Sequence, residues 1–443
     1  MQPTATAPSR ATILITTAYD HGRLTSHLLA VLDLAQELIS RGHRVLVFTE
    51  EAARADVEAA GAELLPHQHY RDIGARMDEA IKEAPRWTKF SRLLRAMYLT
   101  SRSRRATIDS TVDFAQELEP HLRREQVDCV VYDYSAYAAA YAAERVGIPA
   151  ISVTHSGLIM DPDGLPLILR MSPLGGLARR MPKLAHRVVD VMLPMKGVRK
   201  SLGLPPRQGR HAEILQLVAS PLLHIITMYP GLMKDYPLRD QQLFSGPLSF
   251  NGKAQEETPQ SLSTPLAPDT ILVSTTTMGG DWGLLRKVLE AVEPLGLPVL
   301  ATSASSTDVP EGLGSHIRVE RFVPHEQVLP HVKALVTHGG VGVLGRALRH
   351  GVPTLIIPLF SDQPINARLM AKQGLGYFLP FPRATPEAIR ERLQALLQDQ
   401  ALHERVKQTA REIRDARPKE QVLEAIERLS LGSAQRAQAK AAA

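Results

Sequence analysis

Two doubly wound, Rossmann-like α/β lobes separated by a cleft are the fold that this sequence predicts, on three observations. Residues 12–48 read as strand, polar loop, helix and strand, the order of a βαβ unit. A strand-first architecture begins again at Thr270. Between them, Pro247 to Pro268 is dominated by Ser, Gly, Thr, Gln and Pro and reads as a linker. A length of 443 residues suits two domains of ordinary size. The expected division is 1–246 for the first lobe, 247–268 for the linker and 269–416 for the second lobe, then 417–431 as a helix crossing back and 432–443 as a disordered tail.

Composition narrows the function classes. An apolar content of 44% with 22% charged residues is that of a soluble globular protein. The net charge of +6 suits anionic ligands or surfaces but is too small to argue for nucleic acid. Cys129 is the single cysteine and sits in an apolar run, so paired-cysteine redox and cysteine-cluster zinc chemistry are excluded. Met1 to Arg10 is polar and proline-bearing, unlike a signal peptide, and no apolar run is long enough to span a bilayer; a cytoplasmic protein is expected.

Thr12 to Thr16 is the first strand, and the helix from Ser26 to Ser40 carries apolar residues at Leu28, Val31, Leu32, Ala35, Leu38 and Ile39. His27 stands at its start, at the C-terminal edge of that strand, where capping or packing is the ordinary role. Arg44 to Phe48 is the second strand, and Glu51 to Pro66 adds a helix and a strand. From Pro85 to Arg105 seven Arg and Lys residues interleave with aromatic and aliphatic ones; a solvated helix at the cleft rim is preferred there over a lipid contact. Asp128 to Val131 and Ala150 to Thr154 are buried strands, with Asp133 beyond the first and His155 at the tip of the second. Leu177, Met181, Leu184, Val188 and Met192 recur at helical spacing. Leu222 to Thr227 is expected to be the last strand of the first lobe.

The second lobe holds the most informative stretch. Ala334-Leu335-Val336 reads as a buried strand, His338-Gly339-Gly340 follows, and a helix then ends at Gly351 before Pro353. A strand, a glycine turn and a helix N-terminus make an anion site. Thr354 to Pro358 is the next strand, and Asp362-Gln363 lie just past its C-terminal end, where α/β sheets place ligand contacts. An anion site followed by an acid–amide pair suits a nucleotide-activated sugar.

The run H-G-G-V-G-V-L-G-R-A-L-R-H-G-V-P, with D-Q-P-I-N-A downstream, resembles the donor-binding signature of family 1 glycosyltransferases, nucleotide-sugar-dependent enzymes with the GT-B fold. The resemblance implies donor contacts from His338, Gly339, Gly340, Gly342, Asp362 and Gln363. Thr277 falls at the family's Gly-Ser or Gly-Thr loop. Phe322-Val323-Pro324-His325 resembles its W-x-P-Q, which implies that Phe322 stacks on the base and His325 keeps a polar contact. His27 falls on the catalytic histidine and Asp133 on its carboxylate partner. The acceptor pocket is implied for Tyr134, His155, Met160 and the Met- and Leu-rich stretch after it. No metal and no cofactor beyond the sugar nucleotide are implied, and the chain is expected to be a monomer or homodimer.

Two positions depart from the pattern. Val343 replaces a Ser or Thr that bonds phosphate, and Arg346 replaces a carboxylate that accepts the ribose hydroxyls. Losing a hydrogen bond to a charged group costs roughly 1.5–3 kcal/mol. Arg346 is therefore expected either to bond the diphosphate or to accommodate a deoxyribose donor. The reading is inverting transfer of a hexosyl group, UDP-glucose type favoured, to a hydroxyl of a lipophilic small molecule. A dTDP-sugar donor and a catalytically silent binding relative are the alternatives. A nicotinamide-dependent oxidoreductase is disfavoured, because neither lobe carries G-x-G-x-x-G with an acid at the next strand end.

Overall fold

The computed structural model describes residues 10–17, 26–68, 73–85, 92–154, 159–170, 175–207, 209–248, 250, 266–275, 283–303, 309–310, 312–320, 323–360 and 362–442. In the first lobe these form β1 (Thr12–Thr16), β2 (Arg44–Thr49), β3 (Glu63–Pro66), β4 (Cys129–Asp133), β5 (Ala150–Thr154), β6 (His224–Ile226) and β7 (Gln242–Phe244). The second lobe has β8 (Ile271–Ser274), β9 (Val299–Thr302), β10 (Ile317–Glu320), β11 (Ala334–Thr337), β12 (Thr354–Ile356) and β13 (Tyr377–Phe378). The strand orders are β3-β2-β1-β4-β5-β6-β7 and β10-β9-β8-β11-β12-β13, and the strand pairings are parallel. Each order reverses beside the strand that opens the lobe, at β1/β4 and at β8/β11. Those two switch points are where such sheets bind ligands. Two parallel α/β sheets of this kind are the two-lobed, doubly wound class that the sequence predicts.

Apolar residues on both faces explain the parallel sheets. Ile13 and Ile15 of β1 enter one core cluster with Cys129 and Val131 of β4, while Leu14 enters the opposite cluster with Val130 and Tyr132. The second lobe repeats this: Ile271, Val273, Ala334 and Val336 face one way, Leu272 and Leu335 the other. A strand buried on both faces needs continuous apolar sequence, which is why β1, β4, β8 and β11 were readable. Three strands were not anticipated. β7 and β13 are edge strands of three and two residues, and β9 is a four-residue run after a proline. The expected last strand of the first lobe is β6, with β7 beyond it.

The C-terminal helix Pro418–Ala442 returns to the first lobe, where Val422, Leu423 and Ile426 are buried in the cluster that holds Ile13 and Ile15. Ion pairs register it: Lys419 Nζ lies 2.8 Å from Asp33 Oδ1, and Arg41 Nη1 lies 3.1 Å from Glu427 Oε2. The expected disordered tail from Gly432 is instead helical through Ala442. Its alanine- and glutamine-rich sequence has high helix propensity and simply prolongs a helix already nucleated by packing.

The basic stretch is also longer than anticipated. Its described part belongs to one helix, Arg92–Arg124, and residues 86–91 lie outside the described residues. No helix among the described residues is long and apolar enough to cross a membrane.

Because Ile426 is fully buried in a lobe it reaches only from the far end of the chain, Ile426→Ala should destabilise the first lobe by about 2–5 kcal/mol. Urea denaturation followed by circular dichroism measures this; a change within about 0.5 kcal/mol would mean that the helix merely rests on the lobe.

Candidate active site

The first switch point carries an imidazole–carboxylate pair. His27 is in the first turn of the helix after β1, and Asp133 is the last residue of β4, one strand over. His27 Nδ1 lies 3.0 Å from Asp133 Oδ2. The other oxygen, Asp133 Oδ1, accepts the Ser135 N–H at 2.9 Å and also the Ser135 hydroxyl. With Nδ1–H donated to the carboxylate, Nε2 is the ring nitrogen able to take up a proton. Asp133 is 1% exposed while the His27 side chain is 18% exposed, so the orienting group is enclosed and the imidazole reaches the surface. Burial alone would lower the His27 pKa; the carboxylates of Asp133 and Asp362 outweigh it and raise the pKa above its ordinary value. Asp362 belongs to the other lobe, so the two switch points sense each other's charge. The Tyr134 ring packs against His27 at 5.4 Å between centroids.

The second switch point is a backbone cradle. Gly339 has φ +93°, and a Cβ there would meet Ile356 Cγ2 at 2.6 Å, so only glycine fits. Gly340 is the N-cap of the helix Val341–His350, and a side chain at Gly342 would enter open space. The polar residues below are tied to this turn. Asn366 Nδ2 donates to Gly339 O and to Asp362 Oδ2, each at 3.0 Å. Gln363 Oε1 accepts from Leu359 N at 2.9 Å and Phe360 N at 3.1 Å, which leaves its amide N–H groups as donors for a ligand. Burial lowers the pKa of His338, against smaller opposing effects of the Ser274 backbone and Asp362, and so keeps the ring neutral. His325 is pulled down to about 4 by burial, reinforced by Arg346 and His338; its Nε2 lies 3.0 Å from Ser274 Oγ.

Several expected contacts are placed differently. Val323 and Val343 pack in one apolar cluster with Leu272 and Leu335, so their side chains belong to the core beneath the donor turn. Val343 is thus a packing residue, because the first-turn position it holds points back at the sheet. Arg346 is not on the glycine turn either. Its Nε lies 3.5 Å from Glu326 Oε1, an ion-pair separation without a hydrogen bond, and the same carboxylate meets Arg349 Nη1 at 3.5 Å and His350 Nε2 at 2.8 Å. Met160 is fully buried in a satellite cluster with Leu165, Leu215 and Val218, against which Tyr134 packs. Leu177, Met181, Leu184, Val188 and Met192 do not enter the core; they are 46–68% exposed. Thr277, Phe322 and His155 lie outside the described residues.

Four residues matter that sequence reading left without a role. Asn366 stands in the motif itself, yet its two hydrogen bonds, to Gly339 O and Asp362 Oδ2, are visible only in three dimensions. Ser135 follows Asp133 by two residues, an Asx-turn spacing that was a readable signal. Ser274 closes β8 under His325. Glu326, next to His325, supplies the acid that answers the unusual Arg346.

Residues 286–429 match the family described as Erythromycin biosynthesis protein CIII-like, C-terminal domain. The chain is 29% identical over 405 residues to 4'-demethylrebeccamycin synthase of Lentzea aerocolonigenes, covering 88% of this chain and 92% of that protein. It is 24% identical over 419 residues to 10-deoxymethynolide desosaminyltransferase of Streptomyces venezuelae, covering 87% and 89%. Among solved structures, the glycosyltransferase VinC in complex with dTDP superposes with a TM-score of 0.67 at 22% identity, covering 95% of this chain and 99% of that one.

The pair at the first switch point makes a pH prediction. Asp133→Asn keeps the shape and removes the charge that opposes burial, so the His27 pKa should fall. The acid limb of the kcat/KM–pH profile, set by loss of the neutral imidazole, should move to lower pH while kcat drops by about 10²-fold or more. An acid limb that stays in place would mean that Asp133 does not tune this histidine.

Proposed function

We propose that the chain is a nucleotide-sugar-dependent glycosyltransferase of the family 1 type, acting on natural products, and that it transfers a hexosyl group with inversion to a hydroxyl of a lipophilic acceptor. The observation that carries this reading is the 3.0 Å His27–Asp133 contact at the edge facing Asp362. The acceptor oxygen attacks the anomeric carbon from the His27 side and its proton passes to Nε2. The bond from the anomeric carbon to the diphosphate oxygen breaks, and the electron pair leaves with the nucleoside diphosphate. Asp133 holds Nδ1–H and stabilises the imidazolium formed. The departing charge meets the backbone N–H groups of the Gly339–Gly340 turn and the positive end of the helix Val341–His350. This scheme asks for no metal ion, so turnover should survive exhaustive chelation.

Asp362 and the Gln363 amide suit a sugar with free hydroxyls opposite them. For the nucleotide, the geometry supports a relaxed reading. Arg346 is engaged with Glu326, so position 346 offers no acceptor to a ribose hydroxyl pair and no requirement for one. The dTDP complex of VinC is consistent with deoxyribose donors. UDP- and dTDP-linked hexoses should therefore be used with similar kcat/KM. Preference for UDP by more than about tenfold, roughly 1.4 kcal/mol, would refute lax ribose recognition.

His27→Ala tests the mechanism. With an acceptor that the wild type glycosylates, transfer should fall by about 10²–10⁴-fold while nucleotide affinity, read by calorimetry, stays near that of the wild type. Undiminished turnover in a folded variant would remove His27 from the reaction.

A further inference from the structure

We propose that residues 177–193 form an interfacial anchor that seats the first lobe on an anionic lipid surface. Nine large apolar side chains among the described residues are exposed, and seven of them fall here: Leu177, Met181, Leu184, Val188, Val191, Met192 and Leu193. Such concentration in one short stretch sets this face apart from ordinary scattered surface apolar residues.

The helix Pro182–Met192 turns two polar residues inward beside Ala185 and Val189: His186, 3% exposed, accepts the Ala212 N–H on Nδ1 at 3.1 Å and approaches Asp163 O through Nε2 at 2.9 Å, and Asp190 Oδ1 accepts the Glu213 N–H at 3.0 Å. These contacts fix the rotation of the helix, so Leu184, Val188, Val191 and Met192, which share a face at helical spacing, must face outward. Lys183 and Arg187 border that face and are exposed, as is Arg180 just before it. Asp190, the one acid between residues 177 and 193, points inward. From the neighbouring helix Arg92–Arg124, Arg104 Nη1 reaches Val191 O at 3.0 Å and Met192 O at 3.2 Å, adding a further cation at the border.

An apolar stripe edged by cations is the pattern of a helix lying in a membrane interface. Its charge also selects among occupants. A second copy docked on the same patch would bring like-charged borders together, whereas anionic headgroups complement them. The anchor is distinct from the His27 and Gly339 sites and does not rest on the proposed reaction.

The experiment is co-sedimentation of the full chain with vesicles of phosphatidylcholine, alone or with added phosphatidylglycerol, at physiological salt. Wild type should partition onto the anionic vesicles at least about tenfold better than onto the neutral ones. Replacing Leu184, Val188 and Met192 together by serine should cut that partitioning by about tenfold without shifting the thermal transition, because these side chains are exposed. Lys183→Glu with Arg187→Glu should remove the preference for anionic lipid, and serves as the second test if the serine variant unfolds. Absence of binding by the wild type, or unchanged binding by both variants, overturns the proposal. A wild-type dimer in light scattering that the serine variant converts to monomer also overturns it, since the patch would then be covered by a second copy.

Discussion

A single hydrogen-bonded pair, His27 with Asp133, depends on the whole topology of the first lobe. The two residues are 106 positions apart in sequence and meet at 3.0 Å because β1 and β4 are neighbours. They are neighbours because the chain winds outward from β1 to β3, then returns through a 33-residue helix to the other side of β1. Parallel strands with right-handed crossovers place every strand end that follows on the same edge. That edge is where the helix carrying His27 starts and where β4 delivers Asp133. The second lobe obeys the same rule at β8 and β11, so its glycine turn also lies at a switch point.

Electrostatics divides the work between the lobes. His27 is dressed by Asp133 and Asp362, which raise its pKa against burial. His325 and His338 are enclosed and kept neutral by burial, so they offer hydrogen bonds without a full charge. Positive potential for a diphosphate then comes from fixed backbone dipoles, which need no protonation and do not titrate. The supporting hydrogen bonds of Asn366, Gln363 and Ser135 hold these groups at a set geometry; each contributes about 0.5–1.5 kcal/mol, and leaving a partner unsatisfied would cost more.

The departures from the family pattern have local structural explanations. Arg346 is answered by Glu326, which also gathers Arg349 and His350, so one carboxylate disperses three basic groups. Val343 has joined the apolar layer under the turn. Beside them, Gly345 is required by the start of the linker, since a Cβ there would meet Pro247 Cβ at 2.4 Å. Each of these contacts joins segments distant in sequence, so none could be predicted from spacing alone.

The sequence by itself determined the two-lobed α/β class, the central strands, the helix that carries His27 and the glycine turn, because each depends on a short pattern. Continuous apolar runs mark strands buried on both faces, and a strand–glycine–helix order marks an anion site. Edge strands β7 and β13 are not legible because two or three residues carry no period, and the helical tail is not because its order depends on the packing of Val422, Leu423 and Ile426 upstream. Tertiary structure alone decided which way side chains point. The stripe from Leu177 to Met192 has the helical spacing of a face that packs on a core or lines an acceptor pocket. Hydrogen bonds from Ala212 and Glu213 to His186 and Asp190 rotate the helix so that the stripe faces outward, because two of the inward positions are polar groups whose bonds are made elsewhere in the chain.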